Sequence, residues 1–433
     1  MTDKTILSAL NEEAKDKLEQ IGEADILVGI PSYNNERTIG HIIRALQYGL
    51  AKYFPRHKAV IMNSDGGSTD KTREIVQETS VYADLDTIFV EHPVHPVRTL
   101  ATPYHGIPGK GSAFKAIFEA AVQLNVDDCV VVDSDLRSIT PEWVELLAGP
   151  ILIKGYDYVA PLYFRHKYDG TITNSVVYPL TRALYGKRVR QPIGGDFGFS
   201  RRIVKTFLSK DVWGTDVARY GIDIWMSTIA INEGFKICQS FLGAKTHDTK
   251  DPAKSLGPMF QQVVGTLFYL MTQYEDKWRA ITGSRPTAIY GFRSEVPPEP
   301  VPVNLKTMME KFKAGVEENK DYWLKILPEE RVEEIQKIAS FPLKKFKFPI
   351  QTWVKVVYDF AIAYKNTEKN VSSIKEGIVS RLVSSLVPLY FGRCASFLIE
   401  TRNIPTYEAE EVIERLCDEF EEIKPYLVER WFV

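Results

Sequence analysis

Residues 127–135 read DDCVVVDSD: an apolar run, Cys129–Val132, is followed at once by two acids, Asp133 and Asp135. A short apolar run bounded by polar residues predicts a buried strand, here one whose end carries carboxylates. Two carboxylates two residues apart can converge on one hard cation such as Mg²⁺ or Mn²⁺, which prefers oxygen ligands. The same acids are also typical of a turn before the helix that Thr140-Pro141 opens. These residues alone leave both interpretations open.

Strand-like and helical patterns alternate on the amino-terminal side of this run. The predicted strands are DILVGIPSY (25–33), HKAVIMN (57–63) and DLDTIFVE (84–91), and helical periodicity covers residues 37–53, a stretch from about 70, and 109–124. Alternation of this kind predicts a parallel sheet of βα units, whose functional loops follow the carboxyl ends of the strands. The predicted fold class is therefore α/β.

The pattern changes along the second half of the chain. This half begins with a predicted strand at 156–164 and predicted helices near 174–186 and 219–234. A proline-rich linker, SEVPPEPVPVN (294–304), comes next. Helical patterns then follow at about 304–319, 328–340, 346–366, 370–400 and 407–431. We therefore predict an amino-terminal helix (1–24), an α/β catalytic domain (25–290) and a carboxy-terminal all-α extension (291–433). We expect this extension to cover the core and to mediate homo-oligomerisation.

Composition excludes several classes of protein. With 433 residues, 44% hydrophobic and 25% charged, the chain is globular, and its net charge of −2 argues against nucleic-acid binding. The cysteines Cys129, Cys238, Cys394 and Cys417 have neither zinc nor disulfide-framework spacing, so reduced thiols and a cytoplasmic location are expected. The amino terminus lacks a signal-peptide pattern, and the stretch Val263–Met271 is too short for a membrane span. We expect no membrane span.

Polar loops follow the other predicted strands. The stretches Pro31–Glu36 and Asp65–Asp70 could contact a nucleotide. The first is also typical of a helix start, and for the second, taken alone, a plain turn capped by Ser68 or Thr69 is favoured. Lys110, between Gly109 and Gly111, opens a helix, where its charge and the helix dipole attract phosphate. Neither GxxxxGK[ST] nor GxGxxG follows the first strand, which argues against a P-loop enzyme and a dinucleotide dehydrogenase.

The motifs together carry a family resemblance. PSYNNE, SDGGSTD, GKG and VVVDSDL, in this order, resemble the nucleotide-diphospho-sugar half of GT-A glycosyltransferases. A second set of motifs resembles two families of retaining enzymes, the glucosyl-3-phosphoglycerate synthases (family 81) and the mannosylglycerate synthases (family 78). These motifs are GYDYVAPLYFRH, QPIGGDFGFSR, YGIDIW and AKTHD. The resemblance covers roughly residues 25–275. It implies a GT-A core, Mg²⁺ or Mn²⁺, a nucleotide-diphospho-sugar donor carrying glucose or mannose, and a small anionic acceptor such as 3-phosphoglycerate or D-glycerate.

The resemblance also implies a role for individual residues. It assigns Pro31, Tyr33, Glu36 and Asp65 to the nucleotide, Ser134 to the ribose, Asp135 and His247 to the metal, Lys110 to the donor phosphate or sugar, Gly194, Gly195 and Asp196 to the donor sugar and acceptor, and Asp223 to the sugar. Lys110 and Asp223 are thus the expected catalytic residues. Without the resemblance, His247 is best explained as a loop histidine and Asp223 equally well as a helix-face residue.

The acceptor site departs from the family pattern. The phosphoglycerate enzymes have a Gly-Arg-x-Thr stretch whose arginine reaches the acceptor phosphate, and here Thr171 replaces that arginine in Gly170–Thr173. Arg165 and Arg190 could supply a replacement clamp, or they could belong to a solvated basic loop. The acceptor-binding residues expected from this comparison are Arg165, Thr171, Thr173 and Arg190.

Two other functional classes compete with this interpretation. A nucleotidyltransferase needs a glycine-rich, arginine-bearing loop after the first strand, which PSYNNERT (31–38) does not provide. A non-catalytic binding protein has no need of Asp135 and His247. A GT-A glycosyltransferase with a different acceptor also stays open.

Overall fold

The computed structural model describes residues 8–81, 98–103, 109–247, 252–292, 298–370 and 375–432. The chain forms two compact units. The first, called here the α/β unit, comprises Met1–Phe164, Ile193–Asp248 and Thr287–Pro298. The second, the helical unit, comprises Arg165–Pro192, Thr249–Pro286 and Glu299–Val433. This division differs from the predicted boundary at residue 290, because two earlier segments belong to the helical unit.

The strands and helices of the described residues alternate in the first half of the chain. The strands are β1 (Ile26–Ser32), β2 (Ala59–Asp65), β3 (Arg98–Pro103), β4 (Asp128–Val131), β5 (Tyr158–Phe164), β6 (Lys187–Arg188), β7 (Phe197–Ser200), β8 (Ile237–Ala244), β9 (Arg285–Pro286) and β10 (Ala288–Tyr290). The α-helices are α1 (Glu12–Ile21), α2 (Ile39–Tyr53), α3 (Thr72–Val81), α4 (Lys110–Gln123), α5 (Glu142–Lys154), α6 (Tyr178–Tyr185), α7 (Arg201–Leu208), α8 (Ile222–Asn232), α9 (Pro252–Gln273), α10 (Glu275–Trp278), α11 (Leu305–Trp323), α12 (Glu329–Ser340), α13 (Ile350–Asn370), α14 (Lys375–Thr401), α15 (Thr406–Glu422) and α16 (Lys424–Trp431).

An eight-stranded sheet forms the centre of the α/β unit. Its strand order is β10-β8-β5-β7-β4-β1-β2-β3, and β7 runs antiparallel to both of its neighbours while the other described pairs are parallel. The predicted α/β class and the predicted helical carboxy-terminal extension are therefore confirmed. The predicted strand at 84–91 lies outside the described residues, and β3 occupies the edge of the sheet beside β2.

Several predicted helix boundaries differ from the observed ones. The pattern at 407–431 is two helices, α15 and α16, and α16 restarts with Pro425 in its first turn, where the missing N–H has no helical partner to lose. The helix expected near 174–186 begins as a π-helical turn, Thr173–Val177, before α6. The four cysteines are all buried and unpaired with one another, as expected.

The two faces of β1 are covered by different helices. Val28 and Ile30, fully buried, pack in one apolar cluster with residues of α2 and α5. Gly29 points to the opposite face, where a Cβ added to it would lie 2.5 Å from Ile117 of α4. Successive residues of a strand face opposite sides, so this alternation is what a doubly covered sheet requires. Glycine at position 29 lets α4 lie directly on β1.

The most apolar long helix of the described residues is in the helical unit. Ser380–Thr401, within α14, is long and apolar enough by length and composition alone to cross a membrane, and 78% of that stretch is buried inside the protein. The apolar stretch Val263–Met271 is likewise a buried part of α9. Helices that are apolar on most sides are typical of the interior of a large helical domain.

Gly29→Ala is expected to lower the free energy of unfolding by about 1–3 kcal/mol, because the new methyl group overpacks against Ile117. In an Ile117→Ala background, Gly29→Ala should cost less than in the wild type, since the three side-chain atoms that the methyl group would meet are absent. The measurement is urea unfolding of both variants. Gly214→Ala is the control, because nothing lies within 4 Å of its added Cβ. Equal stability of the Gly29 and Gly214 variants would contradict the packing explanation.

Candidate active site

Several strand ends bring charged residues to one edge of the sheet. The parallel strands β1, β2 and β4 end together, with Ser32 opposite Asp65 and Gly29 opposite Val131. The antiparallel strand β7 begins at this same edge, where Phe197 lies opposite Val131. The residue before β7, Asp196, therefore meets the residues after β4, and its carboxylate accepts a hydrogen bond of 2.8 Å from the Asp133 amide.

Lys245, which follows β8, is the centre of this cluster. Its ammonium group donates hydrogen bonds of 2.8 Å each to the Asp133 carboxylate, the Asp196 carboxylate and the Gly194 carbonyl. Its side chain is only 3% exposed, and the Tyr163 hydroxyl donates to the same Asp196 oxygen. An ammonium group has three N–H donors, so these three bonds satisfy it in a site with little access to water.

Lys110 supplies the second cation. Its ammonium group lies 2.9 Å from the Asp133 carboxylate and 3.4 Å from that of Asp223, at the first turn of α8. The flanking glycines explain this closeness, because an added Cβ at Gly109 or Gly111 would lie 2.5 or 1.9 Å from a carbonyl oxygen of the 217–218 turn. The GKG motif thus packs the start of α4 against the turn that leads to Asp223.

The surroundings shift the pKa values of the acids in this cluster in opposite directions. Although burial opposes ionisation, Lys110 and Lys245 hold the pKa of Asp133 below its ordinary value. Burial raises the pKa of Asp196 and of Asp223, and their lysine partners only partly offset this effect. Burial also opposes the charge of Lys110, but Asp133 and Asp223 raise its pKa above the ordinary value. At neutral pH, Lys110 is therefore charged and Asp133 ionised.

The two glycines of the QPIGGD stretch belong to the same cluster. Gly195 has a φ of 91°, and a Cβ added there would lie 1.9 Å from Asp133 Oδ2. Gly194 contributes its carbonyl to Lys245. Both glycines therefore serve the packing of Asp133, Lys245 and Asp196, and their expected role beside the donor sugar and acceptor stays a prediction.

The predicted metal ligands meet through their backbones. Leu136 and His247 form an isolated antiparallel bridge, and the Arg137 amide donates to the Thr246 carbonyl over 2.9 Å. Asp135 and His247, expected to bind the metal, thus lie on neighbouring chain segments. Within the described residues, no group of three or more acidic, histidine or cysteine side chains has the arrangement of a metal site.

The loops after β1 and β2 are joined to the Asp133–Asp135 loop. Ser134 donates from its hydroxyl to the Asn35 side chain over 2.8 Å, and Thr38 donates to the Ser134 carbonyl over 2.6 Å. Asn34, which has a φ of 55°, accepts the Thr69 amide from the loop after β2. The three loops therefore form one hydrogen-bonded rim at the carboxyl edge of the sheet.

The residues expected at the nucleotide are spread along this rim. Pro31 is buried in β1, whereas Tyr33 is 61% exposed. Glu36 accepts the Lys71 amide. Asp65 is 2% exposed and accepts from the amides of Gly67 and Ser68, from two serine hydroxyls and from Arg73, so it holds the turn together. Their contacts with a nucleotide stay predictions.

All four residues expected at the acceptor lie in the helical unit. Within that unit, the Thr171 hydroxyl shares a hydrogen bond of 2.6 Å with Tyr390, and Thr173 is buried. Arg165 lies 3.5 Å from Asp169. Arg190 binds both carboxylate oxygens of Glu410 and the Asn174 side chain. Both arginines thus have an acidic partner within their own unit.

Two residues of the cluster, Tyr163 and Lys245, were not singled out from the sequence, and Asp133 was expected at a cation rather than between two lysines. Each of the three lies inside a motif that carried the resemblance, in GYDYVAPLYFRH, AKTHD and VVVDSDL. A lysine two residues before a candidate metal ligand is the only local signal for Lys245, and it does not reveal the acids 112 and 49 residues away that bind it.

Comparison with known proteins supports the glycosyltransferase resemblance. The glucosyl-3-phosphoglycerate synthase of Petrotoga mobilis is 25% identical over 275 residues, which are 60% of this chain and 77% of that protein. The Mycobacterium tuberculosis glucosyl-3-phosphoglycerate synthase has been solved with Mn²⁺, UDP and glucosyl-3-phosphoglycerate, at 25% identity, 59% and 83% coverage and a TM-score of 0.43. Its structure with Mg²⁺ and UDP gives 24% identity, 59% and 82% coverage and a TM-score of 0.42.

No protein-family model matches the chain. The sequence similarity to a glucosyl-3-phosphoglycerate synthase extends over 60% of the chain, and the predicted glycosyltransferase class is confirmed. Residues 291–433, which form most of the helical unit, lie outside the region in which the sequence motifs carry the resemblance.

Lys245→Met is expected to lower the free energy of unfolding by about 3–5 kcal/mol, because it leaves the buried Asp196 carboxylate without its cation and removes one of the two cations at Asp133. Adding Asp196→Asn should restore part of this loss by removing the charge of that carboxylate. Urea unfolding of the single and double variants measures both effects. Lys210→Met is the control, since its ion pair with Glu233 is partly exposed and worth about 0–1 kcal/mol. A Lys245 variant no less stable than the control would show that this ion cluster does not hold the fold.

Proposed function

We propose that this chain transfers glucose from a nucleotide-diphospho-glucose to a small anionic acceptor, 3-phosphoglycerate or D-glycerate, with retention at the sugar. The observation that carries the proposal is the bridge between Leu136 and His247, because it joins the Asp133–Asp135 loop to the AKTHD segment in a chain homologous to glucosyl-3-phosphoglycerate synthases. Mannose as the sugar is the alternative that the sequence motifs leave open.

The described residues fit a divalent cation held by few protein ligands. Lys110 and Lys245 occupy the two oxygens of Asp133, so the second acid of the motif, Asp135, is the carboxylate assigned to the cation, with His247 beside it. Mg²⁺ and Mn²⁺ in nucleotide sites use one or two protein ligands and complete their shell with phosphate oxygens and water. When bound, the cation supplies charge stabilisation for the departing diphosphate.

Lys110 is the chain's own cation for the same developing charge. It lies at the amino terminus of α4, where the helix dipole adds to the attraction for phosphate. Asp133 and Asp223 keep it protonated and hold it in one position. A charge fixed in advance stabilises the leaving group without reorganisation, which is the largest contribution in reactions of this kind.

Asp223 is proposed to face the sugar. One of its buried oxygens makes no hydrogen bond to the described residues, although Lys110 lies 3.4 Å away. A sugar hydroxyl is a suitable donor to such an oxygen, and a carboxylate beside the ring stabilises the oxocarbenium-like transition state. We propose that the acceptor hydroxyl attacks from the face that the diphosphate leaves, and that the leaving oxygen takes its proton.

The test is a product assay with purified protein, Mn²⁺ and either UDP-glucose or GDP-mannose, combined with D-glycerate or 3-phosphoglycerate. The proposal expects release of UDP and formation of an α-linked glucosyl product with one of the two acceptors. Release of pyrophosphate from a nucleoside triphosphate and a sugar phosphate would instead identify a nucleotidyltransferase. Absence of transfer to both acceptors from both donors would reject the proposed acceptor class.

Asp135→Ala is expected to reduce transfer by at least about 100-fold, because it removes the carboxylate assigned to the cation. The melting temperature should stay close to that of the wild type, since Asp135 is only partly buried, whereas Asp196 is fully buried. Asp127→Ala, which changes an exposed acid beside the same strand, is the control. Near-normal activity of folded Asp135→Ala would exclude this residue from the metal site.

His247→Ala is expected to raise the Mn²⁺ concentration needed for half-maximal transfer, with activity partly restored at higher Mn²⁺. The reason is that an imidazole nitrogen is a good ligand for Mn²⁺ and its loss weakens the site without abolishing it. A titration of activity against Mn²⁺ measures the shift, and His41→Ala, an exposed histidine on α2, is the control. Identical titration curves for wild type and His247→Ala would make His247 a loop residue.

A further inference from the structure

Residues 165–178 form a segment of the helical unit that carries three of the four residues assigned to the acceptor. This acceptor segment comprises the residues after β5 and the π-helical turn before α6. Its partners within the unit lie about 180 to 240 residues further along the chain. The carboxy-terminal helices are therefore the elements that determine its conformation.

Two fully buried aromatic side chains contact the backbone turn of this segment. Trp353 of α13 donates its indole N–H to the Ser175 carbonyl over 2.8 Å. Tyr390 of α14 shares a hydrogen bond of 2.6 Å with the Thr171 hydroxyl. A π-helical turn lacks the regular i to i−4 hydrogen bonds, so an outside donor on the Ser175 carbonyl favours it over a continuous α-helix.

Charged side chains hold the two ends of the same segment. Lys167 donates to the carbonyls of Thr401 and Ile404, at the end of α14, over 2.7 and 2.6 Å. Arg190 joins Glu410 of α15 to the Asn174 side chain, which in turn donates to the Asp169 carbonyl. A cation on the last carbonyls of a helix is favoured by the helix dipole.

The next helix, α6, is held by the same face of α15. Arg182, whose side chain is 3% exposed, contacts the carboxylates of Glu414, Asp418 and Glu421 at 2.5–2.7 Å. With Glu410, these acids follow the three- to four-residue spacing of one helix face. The acidic face of α15 is therefore matched in charge and spacing to the two arginines of the 165–192 stretch.

We propose that the carboxy-terminal helices α13–α15 act as a positioning scaffold for the acceptor segment, and that Tyr390, Trp353 and Glu410 are positioning residues for acceptor binding. This inference rests on the proposed function, because the segment's role at the acceptor comes from it. Because Glu410 already neutralises the charge of Arg190, the role of Arg190 is to connect α15 to the Asn174 side chain. The clamp expected from the sequence is thereby reassigned to a role in holding the segment.

The test compares Tyr390→Phe and Trp353→Phe with two matched controls in the same unit. Tyr358→Phe removes a buried hydroxyl that donates to the Phe420 carbonyl, and Trp323→Phe removes an indole that donates to the Ser385 carbonyl. Neither control contacts the acceptor segment through that hydrogen bond. Each variant is assayed for its acceptor KM, for its UDP-glucose KM, and for hydrogen exchange of the amides in residues 170–178.

The expected result is an acceptor KM raised about threefold to tenfold in Tyr390→Phe and Trp353→Phe, the effect of one hydrogen bond. The UDP-glucose KM should stay unchanged, and exchange in 170–178 should accelerate in these two variants only. Glu410→Gln should resemble them, because it weakens the hold on Arg190. The controls should match the wild type in all three measurements.

Other results separate the two proposals. A wild type that transfers to neither D-glycerate nor 3-phosphoglycerate rejects the proposed function and this inference with it. An active wild type whose Tyr390 and Trp353 variants keep the acceptor KM rejects the inference alone. An equal rise of acceptor and donor KM in variants and controls also overturns it, because the helices would then act only on general stability.

Discussion

The Lys245 ammonium group, shared by Asp133, Asp196 and the Gly194 carbonyl, is the interaction on which the site depends. It joins three parts of the sheet edge: the end of β4, the start of the antiparallel β7 and the end of β8. By binding one oxygen of Asp133 it leaves the other for Lys110, and so it aligns the two cations. The first acid of the Asp-Ser-Asp motif, Asp133, therefore organises the two lysines.

Burial makes this arrangement of charges costly in free energy unless each charge is paired. Two lysines and three aspartates share a largely buried site, in which Lys245 and Asp196 are almost fully buried, so opposite charges must offset the cost of removing each charge from water. The same burial separates the acids chemically: the pKa of Asp133 is lowered, and those of Asp196 and Asp223 are raised. Groups of one residue type thus differ in acidity, a difference that is typical of enzyme active sites.

In the helical unit too, lysine ammonium groups bind several backbone carbonyl oxygens near helix ends. Lys424 donates to the carbonyls of Ala183, Trp278 and Ile281, and burial lowers its pKa to about 8. Lys167 caps the end of α14 in the same way. The carbonyls that these ammonium groups bind lie in the last turn of a helix or just after it, and each lysine joins the 165–192 stretch to helices near the carboxy terminus. In both units, a buried lysine with several oxygen partners connects segments that are distant in sequence.

The sequence by itself determined the strands β1, β2, β4 and β5, the alternation of strands and helices around them, and the acids after β4. Apolar runs such as Cys129–Val132 and the helical start at Lys110 depend on neighbours a few residues away, so local periodicity reveals them. Recognition of the motifs added Asp135, His247 and Asp223, whose local surroundings are ordinary. Only the tertiary structure decided that β7 runs antiparallel, that Lys245 binds Asp133 and Asp196, and that residues 165–192 belong to the carboxy-terminal helices. The reason is physical: ion pairs and buried hydrogen bonds form where distant segments exclude water together, and no short stretch of sequence specifies that meeting.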